Sequence, residues 1–295
     1  MDLGRLHPWI VRAAWAVLPF ADGPAFAAAL DDRSAIVRTT ASVGLWAVWG
    51  VALCASMVLH PVALTVLRCA APAGVVAASW ASWRSGGAAG GFALAATLVA
   101  SVVAFLPETG VAFVNGPAYP NERRFPLRVP GPLLLGPLQL AWALTVGAPI
   151  AAVLLLAARQ WVPGGIAAVI GGGALFVLGR ALHGLSRRWV VFVPAGLVLH
   201  DPMTLADPVL FPKLQIAGID VADAATDALD LTQRSPGLAI ELALRETASL
   251  VLTKPGQRVG PTVDADRVLF TPTRPGAVLR EARARMGAGA PSEAE

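Results

Sequence analysis

Residues 133–183 read LLLGPLQLAWALTVGAPIAAVLLLAARQWVPGGIAAVIGGGALFVLGRALH, and the rest of the chain must be arranged around this stretch. It holds two long apolar runs, 133–158 and 161–182, joined by Arg159-Gln160. Arg159 is the only charge between Leu133 and Gly179. Each run exceeds the roughly 20 apolar residues that a helix needs to cross a hydrocarbon layer about 30 Å thick. In such a layer every backbone polar group must be satisfied internally, which a helix achieves alone. The stretch therefore predicts two antiparallel membrane helices.

Composition agrees. The chain of 295 residues is 56% hydrophobic and 14% charged, with a mean hydropathy of +0.63, well away from soluble proteins, which are roughly a quarter charged. Residues 1–184 carry eleven arginines and six acids, a net +5, whereas 185–295 carry twelve bases and thirteen acids, a net −1. The basic excess belongs to the apolar part, where it suits anionic headgroups; the pI of about 9.8 is not a nucleic-acid footprint. Arginine outnumbers lysine 21 to 2, a bias expected of a GC-rich bacterial genome. Cys54 and Cys69 lie in apolar runs without CxxC or Cys/His spacing and read as small core residues.

Working outward, residues 1–40 read as an amphipathic, interfacial segment. Arg12 interrupts the apolar run 9–20, Pro19 ends it and Asp22-Gly23-Pro24 follows, while Trp9, Trp15 and Arg12 are residues that settle at headgroup level. A helix packed on the bundle, or a sixth crossing over 8–30, are the alternatives. The transmembrane bundle occupies 41–183, with five spans at about 41–59, 62–83, 91–106, 133–158 and 161–182. His60-Pro61 makes the first two a tight hairpin. Small residues in the third span, and Gly171-Gly172-Gly173 with Gly179 in the fifth, favour close helix packing. Between the third and fourth spans lies PETGVAFVNGPAYPNERRFPLRVPGP, residues 107–132, whose prolines forbid a regular helix through it.

From 184 to 286 the pattern changes to short β-type segments. Runs at 188–193 and 197–200 flank a Pro194-Ala195-Gly196 turn and read as a hairpin. Further strands are expected at 209–211, 214–220, 228–232, 238–245, 248–253 and 267–271, with turns at Ser235-Pro236-Gly237 and Lys254-Pro255-Gly256. Leu238, Ile240, Leu242 and Leu244 alternate with Ala239, Glu241, Ala243 and Arg245, giving one buried face. A helix over 277–286 closes the domain, and 287–295 reads as a disordered tail.

The segments RRWVVFVPAGLVLHD and RVLFTPTRPGAVLREARARM carry a resemblance, over the C-terminal third, to bacterial pleckstrin-homology-like (PH-like) domain membrane proteins. The resemblance implies a small cytoplasmic β-barrel capped by its last helix. The acidic run Asp220, Asp223, Asp227 and Asp230 departs from what a phosphoinositide-binding module would carry. With five spans the termini lie on opposite sides, and the flanking arginines nearly tie. Arg123, Arg124, Arg128, Arg187 and Arg188 face one side, and Arg33, Arg38, Arg84 and Arg159 the other. Arg5 and Arg12 tip the balance towards the second group. The resemblance favours a cytoplasmic C-terminal domain, and a sixth crossing would remove the conflict by bringing both termini to one side.

Arg68, about two turns into its span, is the only charge deep in any of the five, and none of them contains an acid. Intramembrane arginine costs about 2.5–3.5 kcal/mol on insertion scales and often faces a bundle interior; the plainer reading is that it snorkels to the interface. Arg123, Arg124 and Arg128 in the long loop form, with Arg68, the candidate lipid- or anion-binding set, the loop arginines being otherwise an ordinary charged connector. Without a mid-membrane acid, a proton-coupled carrier lacks its relay. His183, His200 and Asp201 could suggest a metal, but His183 ends a helix and His200-Asp201-Pro202 reads as a strand end turning; no nucleophile elbow, Walker loop or dinucleotide fingerprint occurs. The expectation is a non-catalytic, multi-pass cell-membrane protein with no cofactor or metal. It would scaffold or regulate partners in the bacterial envelope or, alternatively, bind or transport a lipid or envelope precursor. Its expected partners are the bilayer, other membrane proteins or anionic lipid, and not nucleic acid.

Overall fold

The computed structural model describes residues 3–253 and 260–286; the turn expected at Lys254-Pro255-Gly256 and the tail expected at 287–295 lie outside them. The chain divides into two compact units, Met1–Gly116 with Leu138–Ser186, and Pro117–Pro137 with Arg187–Glu295. The first is a helical bundle and the second is β-rich and ends in a helix.

The helical unit contains α1 (Leu3–Leu30), α2 (Ala35–Met57), α3 (Pro61–Ser85), α4 (Gly87–Phe105), the short α5 (Pro107–Asn115), α7 (Pro137–Trp142), a π-turn (Ala143–Gly147), α8 (Ala148–Ala157) and α9 (Trp161–Leu185). The β-rich unit interposes β1 (Arg123–Pro126) and α6 (Gly131–Leu134) between α5 and α7. Among the described residues, six helical stretches are long and apolar enough to cross a membrane: Leu6–Leu30, Ala35–Met57, Pro61–Ser85, Gly87–Phe105, Pro137–Ala157 and Trp161–Leu185.

The first of these corrects the expected break at Pro19. A proline removes one helical donor, and here the donor missing at Pro19 is the one that would reach the Trp15 carbonyl. Trp49 on α2 supplies the replacement, its indole N–H donating to that carbonyl at 2.7 Å. Helix α1 therefore continues through Pro19 and Pro24, as a membrane helix can when a neighbour re-satisfies its backbone. Val11, Trp15, Leu18, Ala21, Ala25 and Ala29 are buried along it, while Trp9 and Phe20 are exposed. Arg12 donates to the carbonyls of Ser56 (3.3 Å) and Met57 (3.4 Å) at the end of α2, where a cation meets the negative end of the helix dipole.

The turns between the other helices follow from single residues. His60 caps α3, its Nδ1 accepting from the Val62 amide at 3.2 Å. At Gly86 and Gly87 the backbone has positive φ, which glycine adopts without a steric penalty. Glycine also sets the spacing of α8 and α9. A Cβ on Gly164 would lie 2.8 Å from Leu156 Cδ2, and one on Gly171 2.8 Å from Pro149 Cδ. Gly172 and Gly173 face open space, so only one residue of the triplet sets the approach.

The long connection departs from expectation twice. It opens with a helix, α5, because Pro107 sits at the first helical position, where a missing N–H costs nothing. Its later part, including Leu133 and Leu134 from the start of the apolar run, belongs to the β-rich unit.

In that unit β1, β2 (Trp189–Val193), β3 (Gly196–His200) and β4 (Val209–Pro212) form one antiparallel sheet in that order. The second sheet has the order β5 (Ile216–Val221), β7 (Ile240–Val251), β8 (Thr262–Phe270) and β6 (Leu229–Asp230), with only β6 and β8 parallel. The two strands expected at 238–245 and 248–253 are one strand, β7, whose pairing with β8 is irregular between Ala243 and Ala248. The sheets do not close into a barrel. They share one core with α10 (Pro275–Met286), formed around Phe192, Phe211, Ile240, Leu242, Phe270 and Val278 and including Phe125 and Leu127 from the connection. The predicted alternation along β7 appears in burial, Ile240, Leu242 and Leu244 facing inward and Leu238, before the strand, exposed.

The connection also joins the two sheets. β1 pairs with β2, Phe125 opposite Val190. Just beyond it the Arg128 amide donates to the Thr271 carbonyl (2.8 Å) and the Thr273 amide to the Pro126 carbonyl (2.8 Å), at the end of β8.

Candidate functional site

Several polar side chains within the helical unit are tied to a neighbouring helix. His7 Nε2 lies 2.6 Å from Thr109 Oγ1, whose hydroxyl donates to the Val103 carbonyl at 2.6 Å. Because that hydroxyl has one proton to give, His7 is the donor of the pair. Thr65 Oγ1 donates to Ser186 Oγ at 3.0 Å and lies 3.0 Å from His183 Nδ1 and 3.1 Å from the Pro61 carbonyl. The first turn of α3 is thereby bound to the last turn of α9. Trp142 Nε1, just before the π-turn, donates to the Cys69 carbonyl at 2.9 Å, and the buried Thr145 hydroxyl inside that turn has no partner among the described residues. π-Turns are frequent at functional sites.

The bundle contains an acid that the five-span reading left outside it. Asp22 on α1 is buried, and its Oδ2 accepts from Thr97 Oγ1 of α4 at 3.0 Å. Its Oδ1 has no partner among the described residues. The premise that the apolar helices hold no acid fails, and with it the argument that a proton carrier would lack a relay group. Asp22 continues the spacing of Val11, Trp15, Leu18, Ala25 and Ala29 and so shares their face, but the burial of that face is decided by distant partners such as Thr97.

Arg68 is the eighth residue of α3. Its guanidinium lies over the Phe105 ring, 5.7 Å from the centroid, and its buried Nε meets no acceptor among the described residues. The other three candidate arginines belong to the β-rich unit and have separate roles. Arg123 is exposed on the edge strand. Arg124 donates to Glu122 (2.9 Å) and lies over the Trp189 ring. Arg128 acts through its backbone, its carbonyl accepting from Arg188 Nη1 (2.7 Å) and Ser235 Oγ (3.3 Å). The four are thus one half-buried group in the bundle and three differently used groups in the domain.

The most fully engaged charges were not among the candidates. Arg188 donates from Nε and Nη2 to the two oxygens of Asp201, both at 2.7 Å, with the two side chains 2% and 1% exposed. Next to them His200 stacks on Trp189, ring centroids 5.1 Å apart. Burial pushes the His200 imidazole below its ordinary value; nearby Arg187 and Arg124 act in the same direction and Asp201 opposes them. A bidentate arginine commits Asp201, and among the described residues no group of three or more His, Cys, Asp or Glu side chains is placed to hold a metal ion. A cleft of about 450 Å³ lies beside α10, lined by residues including Asn121, Lys213 and Arg285. Arg285 is engaged there, bonding Glu281 Oε1 (2.6 Å) and the carbonyls of Asn121 (2.7 Å) and Phe192 (3.3 Å).

No protein-family model, curated protein or solved structure matches this chain.

Proposed function

We propose that this chain is a non-catalytic, multi-pass protein of a bacterial cell membrane, whose β-rich unit is a PH-like recognition module that scaffolds or regulates envelope partners. The observation that carries the reading is β1. A strand from the connection between α5 and α7 completes the first sheet and, through Arg128 and Thr273, reaches the second. The chain passes between the two units three times, at 116–117, 137–138 and 186–187. A partner that shifts the β-rich unit therefore pulls on several helices at once, which suits a regulatory link. Two sheets around one core, with a C-terminal helix against it, support the PH-like assignment.

Six crossings also favour a cytoplasmic module. Arg5, Arg12, Arg123, Arg124, Arg128, Arg187 and Arg188 then flank one membrane face, against Arg33, Arg38, Arg84 and Arg159 on the other. Affinity purification of the full chain from several growth conditions tests the function, and failure to recover any stoichiometric partner sinks it. Labelling of single cysteines at positions 3 and 286, with Cys54 and Cys69 replaced, tests the sidedness. Both positions should react only from the cytoplasmic side.

A further inference from the structure

We propose that Arg68 binds a phosphate-bearing anion, supplied by the headgroup of a membrane phospholipid. The inference stands independently of the regulatory reading above. Arg68 lies about 10 Å along the axis of α3 from Pro61, inside a helix long and apolar enough to cross a bilayer. A guanidinium carries five N–H donors and remains charged in proteins. Here none of them meets an acceptor among the described residues, and Nε is buried. Four other arginines of the same unit are matched by oxygen acceptors. Arg12 caps α2, Arg33 and Arg84 pair with Asp32, and Arg38 pairs with Asp31.

No acidic side chain bonds Arg68 among the described residues: α2, α3 and α4 contain none, and of the acids on the other helices packed against α3, Asp22 on α1 accepts from Thr97 and Glu108 on α5 does not pair with it. Phe105 engages the guanidinium through its ring, an interaction that uses the cation's charge and leaves its N–H groups unsatisfied. A phosphate answers that need, because two of its oxygens accept parallel N–H bonds from one arginine. Soluble phosphate offers the same chemistry. The neighbouring surface favours the lipid, since Val102 and Phe105 are 60% and 49% exposed and match an acyl chain, whereas a free ion would leave water beside them without compensation.

The test is native mass spectrometry of the full chain after reconstitution with phosphatidylglycerol and release into mild detergent. Wild-type protein should retain phosphatidylglycerol stoichiometrically, and Arg68→Gln should retain roughly ten-fold less or lower still. Arg180→Gln, which removes an exposed arginine, should retain it fully. In a parallel reconstitution with a neutral glycolipid that lacks phosphate, the wild type should retain none. This arm decides the matter if Arg68→Gln fails to fold. Delipidated wild type incubated with inorganic phosphate forms the third arm. Equal phosphatidylglycerol on wild type and Arg68→Gln overturns the proposal. Glycolipid held as well as phosphatidylglycerol, or inorganic phosphate bound where no lipid is retained, overturns it equally.

Discussion

Arg188 and Asp201 face one another because the hairpin register makes them do so. Trp189 pairs with His200 and Val193 with Gly196, so the next pair outward is Arg188 with Asp201. A buried ion pair of this kind is costly to break, because the remaining partner is left charged and desolvated. Asp201→Ala should therefore destabilise the protein by about 3–5 kcal/mol, measured by denaturant unfolding in detergent, whereas Arg123→Ala on the exposed edge should change stability by less than about 0.5 kcal/mol. His200 gives a pH dependence of defined sign. The fold holds its imidazole below the ordinary value, so as pH falls through about 6.5 the unfolded chain takes up a proton that the native state resists. Stability is fully present above that pH and declines below it. In His200→Gln that part of the slope should vanish from unfolding curves recorded between pH 7.5 and 5.5. This residue-level chemistry was readable once the Pro194-Ala195 turn was placed, since a two-residue turn sets every cross-strand partner. Reading His200-Asp201-Pro202 only as a strand end hid it.

At the scale of the element, α1 is where local rules and tertiary context disagree. Pro19 and Pro24 argue for a broken helix if only the local chain is considered, and the interfacial reading followed from them together with Arg12, Trp9 and Trp15. The deciding bond comes from Trp49, nineteen residues beyond the end of the helix, and no pattern within α1 discloses it. The consequence is a conditional effect. Trp49→Phe should cost about 1 kcal/mol by removing the donor to the Trp15 carbonyl. In a Pro19→Ala background, where the backbone regains its own N–H, the same substitution should cost markedly less. A double-mutant cycle of thermal stability in detergent measures the coupling, and equal costs in both backgrounds would show that the indole bond does not sustain the helix. The crossings predicted at 41–59, 62–83, 91–106 and 161–182 needed no such help. Each sits in a long, mainly apolar run that the local sequence marks as a helix, although α3 also carries Arg68 and an internal proline, Pro72.

For the whole molecule, the central fact is that the β-rich unit is assembled from two separated parts of the chain. Phe125 packs edge-on against Phe192, centroids 5.9 Å apart, and is 3% exposed. Phe125→Ala should cost about 3–5 kcal/mol. A fragment of residues 187–295 alone should expose the edge of β2 and the vacant Phe125 and Leu127 positions, and so aggregate. Supplying residues 117–137 through a flexible linker should restore a soluble fold, as judged by size-exclusion chromatography and circular dichroism. A stable monomer of 187–295 would mean that β1 is an ornament of the sheet.

Hydropathy alone determined that long apolar helices occupy the first two-thirds of this protein, because the length and continuity of an apolar run are one-dimensional properties. It likewise located the change to β-type alternation after residue 184 and the amphipathic helix that follows, since both are periodicities along the chain. Only the tertiary structure decided that residues 117–137 belong with the last third, that α1 survives its prolines and that Asp22 lies among the apolar helices. Each of these depends on a partner far away in sequence, namely β2 for β1, Trp49 for Trp15 and Thr97 for Asp22, and a partner of that kind leaves no mark on the local pattern.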